Sequence, residues 1–216
     1  MLKAIIFDMD GVLIDSIGPI WESFSRVLKD EGAHFSEDYI KRNLARSLRD
    51  NLQAWKTEFG IKDYNLMEFS KKAGEIQFDL MKKEKVNSGL LALLQESKEH
   101  NIICAVATSS LRWRAEKILD LLGIKSFFQA LVTADEIKHH KPAPDTFLEA
   151  AKKLNIKPEE CVVIEDAGNG IDAAKNANMK TIALLTKYHS LDELKHADLV
   201  IKDFSELNVT KIKKLL

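Results

Sequence analysis

The 216-residue chain contains no apolar run that approaches the roughly 18 residues of a membrane-spanning helix, which excludes a helical span. It also lacks an excess of charge of either sign. With 32 basic and 33 acidic side chains the net charge is −1, so no field draws the chain to nucleic acid or to an anionic membrane. Cysteine is scarce. Cys104 and Cys161 each sit inside an apolar, strand-like run without a neighbouring cysteine at CxxC spacing. They read as buried free thiols in a reducing compartment, not as a disulfide framework or a zinc site. There is no internal repeat and no low-complexity tract. The N-terminus enters a strand without a secretory segment, and the expectation is a cytoplasmic protein, monomeric or a small homo-oligomer. The tail, with Lys211, Lys213 and Lys214 among Ile212, Leu215 and Leu216, reads as a short capping helix with one wet face.

What is present is organised around Ala4-Ile5-Ile6-Phe7-Asp8-Met9-Asp10-Gly11-Val12-Leu13, an apolar run that ends in two carboxylates and a glycine. Periodicity alone does not separate a buried strand from a helix segment here. The β-branched content and Gly11 favour a central parallel strand covered on both faces. In open α/β sheets ligands bind beyond the carboxyl ends of the strands, where Asp8 and Asp10 would then sit. The two converge on one ion or one phosphoryl group only if the chain turns after Asp8.

From Ile20 to Lys85 the pattern is helical. Ile20, Trp21, Phe24, Val27 and Leu28 form one stripe, Leu48, Leu52, Trp55 and Phe59 a second, and Leu66, Phe69, Ala73, Ile76 and Leu80 a third, with Gly32 and Gly60 as punctuation. Consecutive helices without strands break the alternation of an α/β core, so the block reads as an insertion. Alternation resumes afterwards. A helix carries Leu90, Leu91 and Leu94, and the run 102–107 is a strand. A helix with Leu111 to Leu122 follows, then a short strand at 130–132 and a helix from Pro144 with Phe147, Leu148, Ala151 and Leu154 on one face. Strands at 161–164, 181–185 and 199–201 complete the pattern. The expected division is a catalytic core of residues 1–14 and 87–216 with a helical domain at 15–86, and hinges near Leu13–Ser16 and Lys85–Ser88.

Polar groups close several of these apolar runs: Asp8 and Asp10 the first, Thr108 another, Glu165 and Asp166 a third, with Lys141 in the loop 139–144. Singly each has a blander use as a turn residue, a helix cap or a solvated charge. Together they describe a pocket of carboxylates, one hydroxyl and one cation at one sheet edge, which suits a phosphoryl group. Mg²⁺ prefers oxygen ligands and touches substrate phosphate. Asp8, the Asp10 carbonyl and Asp166 could supply them. Lys141 would balance phosphate charge, Thr108 would donate to a nonbridging oxygen, and the N–H groups of Ser109 and Ser110, at the start of the next helix, would add an anion site. A carboxylate can act as covalent nucleophile. Asp8 is the choice for attack on phosphorus, and Asp10 for protonating the leaving oxygen and then activating water. His139 and His140 lack metal-ligand partners at sensible spacing.

These motifs resemble the haloacid dehalogenase-like hydrolase superfamily, in the subgroup with a helical cap after the first strand. That subgroup includes phosphoglycolate phosphatase-like enzymes, sugar-phosphate phosphatases and beta-phosphoglucomutase. Four segments carry the resemblance: 7–13, 107–110, Lys141-Pro142-Ala143-Pro144 with Asp145 and Phe147, and 164–167 followed by Gly168, Gly170, Ala173 and Ala174. It implies a Rossmann-like three-layer α/β/α core with a central parallel sheet and an inserted α-helical cap. It further implies an aspartyl phosphate at Asp8, acid/base work by Asp10, Mg²⁺ held chiefly by Asp8, the Asp10 carbonyl and Asp166, and Glu165 near the metal.

The expected function is Mg²⁺-dependent hydrolysis of a small phosphorylated metabolite. A beta-phosphoglucomutase-like phosphotransferase is the nearer alternative. Such sequences usually carry a histidine shortly after an Asp-Thr pair, whereas Asp15-Ser16 is followed here by Ile17, Gly18, Pro19 and Ile20. The segment 44–49 also lacks a clear Gly-Val-Ser-Arg copy; Arg46 and Arg49 within it are candidates to clamp an anionic leaving group. A receiver-like phosphoacceptor or an interaction protein on the same fold is the other alternative. Asp10 and the long insertion argue against the first, and the full set of reactive side chains against the second.

Overall fold

The computed structural model describes residues 1–44, 46–82 and 84–216 and divides into two compact units, Met1–Asp15 with Lys85–Leu216, and Ser16–Glu84. Strand β1 (Ala4–Phe7) opens the chain. The second unit follows with α1 (Ile17–Val27), α2 (Glu37–Asn43), α3 (Leu48–Phe59) and α4 (Leu66–Met81). The first unit then continues with α5 (Leu90–Glu99), β2 (Ile103–Ala107), α6 (Arg112–Leu121), β3 (Phe128–Val132), α7 (Asp145–Leu154), β4 (Cys161–Glu165), α8 (Gly168–Asn176), β5 (Lys180–Leu184), α9 (Leu191–Leu194), β6 (Leu199–Ile201) and α10 (Val209–Lys213).

The six strands form one parallel sheet in the order β3-β2-β1-β4-β5-β6. The sequence predicts β1 as a central parallel strand, and it is one: Ile6 lies opposite Ala105 of β2 and Val163 of β4. Every residue of β1 is buried because both faces are covered. Alternation sends Ala4 and Ile6 to the face packed by Phe147, Ala150 and Ala151 of α7 and Ala173 and Ala174 of α8. On Phe7 the opposite alternation places the ring against Phe204, beneath α5 and α10. This is the expected Rossmann-like core flanked by helices, with the helical block inserted after the first strand.

The two cysteines are buried and free, as expected, and burial pushes both thiols up to about 12, which keeps them unreactive near neutrality. Leu148 of α7, expected on its apolar face, faces solvent instead at 39% exposed, as does Leu91 of α5 at 43%. The helical turn places Leu90, Leu93 and Leu94, and Phe147, Ala150 and Ala151, inward, leaving the adjacent leucines roughly 100° away from the core.

In the helical unit Trp21, Phe24, Phe35, Trp55 and Phe69 form an aromatic core with Trp55 fully buried. Ring centroids of Phe35 and Trp55 are 4.7 Å apart, and Trp21 meets Trp55 edge-on at 5.9 Å. Ser36, Ser47 and Asn65 cap α2, α3 and α4 with side-chain oxygens that accept backbone N–H bonds. Among the described residues no helix is long and apolar enough to cross a membrane.

An ionic network holds the carboxyl end of β3 to α6 and α7. Glu136 accepts from Lys153 at 2.6 Å, from the Thr133 hydroxyl at 3.0 Å and from Arg112. Burial works against its ionisation, but these three donors outweigh burial and draw its pKa from 4.5 down to about 2. A carboxyl depressed on folding contributes stability that is complete above its unfolded value and fades as pH falls toward its folded value. The urea midpoint advantage of the wild type over Glu136→Gln is therefore expected to be constant above that unfolded value and to shrink as pH falls from 4.5 to 2. A gap that does not change with pH would show that the network is not electrostatic.

Candidate active site

All the core positions singled out in the sequence lie at the carboxyl edge of the sheet. Asp8 follows β1 and donates its N–H to the Ile164 carbonyl at 2.9 Å, which continues the β1–β4 ladder by one bond. The chain then bends at Met9 and turns through Gly11 to Ile14, where the Gly11 N–H meets the Ile14 carbonyl at 2.9 Å. The expected turn after Asp8 is present, but it does not bring the Asp10 carboxylate into the cluster of Asp8, Glu165 and Asp166. Gly11 has φ +86°, and an alanine Cβ there would lie 2.0 Å from Asp166 Oδ2. The Asn87 side chain donates to the Gly11 and Val12 carbonyls at 3.0 and 2.7 Å and so pins the turn.

Lys141 stands in the loop that leads to α7 and is joined to Pro142 by a cis peptide bond. Its Nζ donates to Asp8 Oδ1 and to Glu165 Oε1, both at 2.6 Å, and lies 4.8 Å from the centroid of the Phe147 ring. Its side chain is only 5% exposed. Burial pulls its proton affinity down, but Asp8 and Glu165 outweigh burial and hold the ammonium charged. Glu165 Oε2 accepts from the N–H groups of Asp166 and Ala167 at 2.9 and 3.1 Å, so that carboxylate is oriented from both ends. Gly170 keeps space for it, since a Cβ there would stand 1.9 Å from Oε1.

Asp8, Glu165 and Asp166 bring one carboxylate oxygen each within 4.8 Å of one another, and all three residues are buried. Burial raises Asp8 to about 7 despite Lys141, and burial together with Glu165 and Asp8 raises Asp166 well above the usual carboxylate range. Asp166 Oδ2 is buried without a hydrogen-bond partner among the described residues. Three buried carboxylates around one ammonium, with one orphaned oxygen, form an all-oxygen set with a deficit of positive charge. That donor set fits a divalent cation.

Thr108 follows β2, is 1% exposed, and is placed by its N–H on the Val132 carbonyl at 3.0 Å. Ser109 and Ser110 do not open the next helix as expected. They precede its N-cap Leu111, and the Ser110 N–H is engaged by Thr108 Oγ1 at 3.1 Å. The Asp10 carboxylate lies outside the acidic trio. Arg114 grips it with Nη1 on Oδ2 and Nη2 on Oδ1, each at 2.8 Å, and the Ser110 hydroxyl donates to Oδ2 at 2.8 Å. Arg114 was not singled out in the sequence; as one of two arginines in the first turn of α6 it carries no spacing signal. Arg46 and Arg49 belong to the helical unit and are exposed, with Arg46 3.5 Å from Glu58. His139 pairs with Asp145 at 2.9 Å and His140 is exposed.

A family model described as haloacid dehalogenase-like hydrolase matches residues 5–184. The chain belongs to this family. Among its relatives is the phosphorylated carbohydrates phosphatase of Thermotoga maritima, 34% identical over 97% of this chain and 99% of that one. The fructose-1-phosphate phosphatase YqaB of Escherichia coli is 33% identical over 82% of this chain and 94% of that one. Among solved structures, a beta-phosphoglucomutase from Clostridium difficile superposes with a TM-score of 0.86 at 26% identity, covering 99% of this chain and 96% of that one. As a haloacid dehalogenase-like hydrolase the chain is an enzyme, a phosphatase or phosphotransferase that works through an aspartate nucleophile.

The contact between Gly11 and Asp166 is open to a direct measurement. Gly11→Ala is expected to cost the left-handed penalty of about 1–2 kcal/mol plus the displacement of Asp166. Gly32→Ala, at φ +74° with nothing within 4 Å of the new Cβ, is expected to cost the conformational part alone. Equal losses in chemical denaturation would mean that Gly11 is required for its backbone only.

Proposed function

We propose that the protein hydrolyses phosphomonoesters of small metabolites, with a phosphorylated carbohydrate as the favoured substrate class. The observation that carries this reading is the buried Asp8 carboxylate, which shares Lys141 with Glu165 at 2.6 Å while Asp166 Oδ2 lies unpaired in the same cluster. The names of the two phosphatase relatives support the substrate class.

In the proposed reaction an Asp8 oxygen forms a bond to phosphorus as the bond to the ester oxygen breaks, leaving an acyl phosphate on Asp8. Asp10 delivers a proton to the departing oxygen. Water then attacks the same phosphorus, Asp10 takes its proton, and inorganic phosphate leaves with the Asp8 carboxylate restored. Lys141 keeps its positive charge beside the reacting oxygens, and Thr108 supplies a hydroxyl donor for a nonbridging oxygen. Mg²⁺, held by Asp8, Asp166 and the Asp10 carbonyl with Glu165 beside them, would supply charge neutralisation for the phosphate. Arg46 and Arg49 are the proposed selectors of the leaving group.

A beta-phosphoglucomutase-like transfer is the second reading, favoured by the similarity to the Clostridium difficile structure. Ile20, in the stretch where the histidine of such enzymes would be sought, packs with the aromatic core of its own unit, which supports hydrolysis.

Phosphate release from a panel of phosphate esters is expected to require Mg²⁺ and to favour sugar phosphates by kcat/KM, with Asp8→Asn forming no acyl phosphate. Covalent phosphate trapped on another residue, or faster glucose 1-phosphate isomerisation than hydrolysis, would overturn the assignment. Separately, Mg²⁺ at about 100 times its Kd should stabilise the native protein by about 2.7 kcal/mol in a denaturation assay, and Asp166→Asn should lose most of that gain. An undiminished gain in the variant would place the ion elsewhere.

A further inference from the structure

The proposed chemistry gives Asp10 two proton transfers, and a group with that task must be held at a fixed angle to the reacting oxygens. Asp10 stands in the turn 8–14 and is only partly buried. Its carboxylate is held by Arg114 of α6 and by Ser110, just ahead of that helix. Arg114 engages both oxygens through Nη1 and Nη2 at 2.8 Å, and the same Nη1 lies 2.6 Å from Ser110 Oγ, which itself donates to Oδ2 at 2.8 Å. The three groups form a closed triangle in which the guanidinium fixes the plane of the carboxylate and the hydroxyl fixes its rotation.

The location of Arg114 is otherwise unfavourable. It stands in the first turn of α6, where exposed N–H groups favour anions, and its side chain is 7% exposed. A buried cation at a helix N-terminus breaks a local rule, and such violations concentrate at functional sites. Arg112, two residues earlier, turns away to Glu116 and Glu136. The geometry points to Arg114 as a positioning residue that acts on the reaction through Asp10, with Ser110 as its accessory. This assignment rests on the acid/base reading of Asp10.

Loss of a correctly placed general acid is felt most where the departing oxygen most needs a proton. Sugar and alkyl phosphates, which expel poor alkoxides, depend on it far more than p-nitrophenyl phosphate, which expels a stable phenolate. General acid catalysis contributes about 10²- to 10⁴-fold. Arg114→Ala is expected to lower kcat/KM for alkyl and sugar phosphates by about 100-fold and for p-nitrophenyl phosphate by about 10-fold or less. Arg114→Lys, which keeps the charge but loses the fork, should recover part of the difference. Asp10→Asn should show a steeper dependence on leaving group than either, and adding Arg114→Ala to it should steepen that dependence no further. If Arg114→Ala is too unstable to assay, Ser110→Ala reads the same effect in smaller measure with only a hydroxyl removed. A uniform loss across leaving groups in Arg114→Ala or Ser110→Ala, with Asp10→Asn steep, would overturn the positioning role and leave the acid role standing. A flat profile in Asp10→Asn would remove the acid assignment and this inference together.

Discussion

One ammonium group holds the site together. Lys141 reaches from the loop ahead of α7 to Asp8 at the end of β1 and Glu165 at the end of β4, with Phe147 beneath it. A charge buried to this degree is tolerable only with partners in good geometry, and removing one partner of such a set costs about 3–5 kcal/mol. The dependence runs both ways. The carboxylates need the ammonium, and the ammonium needs β1 and β4 in the register that sets Phe7 beside Ile164. A slip of one residue would turn Asp8 to the other face of the sheet and dissolve the cluster.

The sheet supplies that register largely through its apolar core. Its central strands β2, β1 and β4 are almost wholly buried apolar runs, and the face below Lys141 is packed by alanines of α7 and α8 that bring helix backbones close to the strands. Small residues recur above the sheet edge for a related reason. Gly11 and Gly170 stand where a methyl group would strike Asp166 and Glu165, so the density of the acidic cluster is set by what those two positions leave out. The cluster is crowded with negative charge, and Asp166 keeps an oxygen without a donor.

Much of this was legible from sequence because a parallel sheet has a simple grammar. Where an apolar run stops at a polar residue, that residue lies at the ligand-binding edge, and Asp8, Thr108, Glu165 and Asp166 all follow from it. Lys141 was marked by its prolines. Less local features were not visible. The bend at Met9 parts the Asp10 carboxylate from the acidic trio, and no spacing in the sequence announces it. Arg114 is hidden in the segment Arg112-Trp113-Arg114, where two like side chains diverge to Glu136 and Asp10 only because helical positions two apart face different directions. The same limit applies to Leu91 and Leu148, which share the composition of a buried face but not its angle.

The separation of Asp8 from Asp10 has a chemical logic that follows from these contacts. Two carboxylates two residues apart on one strand end would repel if both turned to one cation. Here they turn to different cations: Asp8 to Lys141, which it shares with Glu165, and Asp10 to Arg114. Burial lifts the affinity of Asp8 for a proton, and Lys141 opposes that lift by favouring the ionised oxygen that a nucleophile must present. The guanidinium places a different demand on Asp10, since a fork grips a carboxylate by its plane and so dictates direction as well as charge. A point-like ammonium imposes no such plane on Asp8, which in the proposed reaction would leave it free to turn a lone pair to phosphorus. In the proposed reaction the nucleophile needs that freedom, and the proposed proton carrier, which serves two successive oxygens, needs a fixed bearing. The sequence therefore assigns the compact cation to one aspartate and the planar cation to the other, and the turn at Gly11 keeps the two pairs from merging.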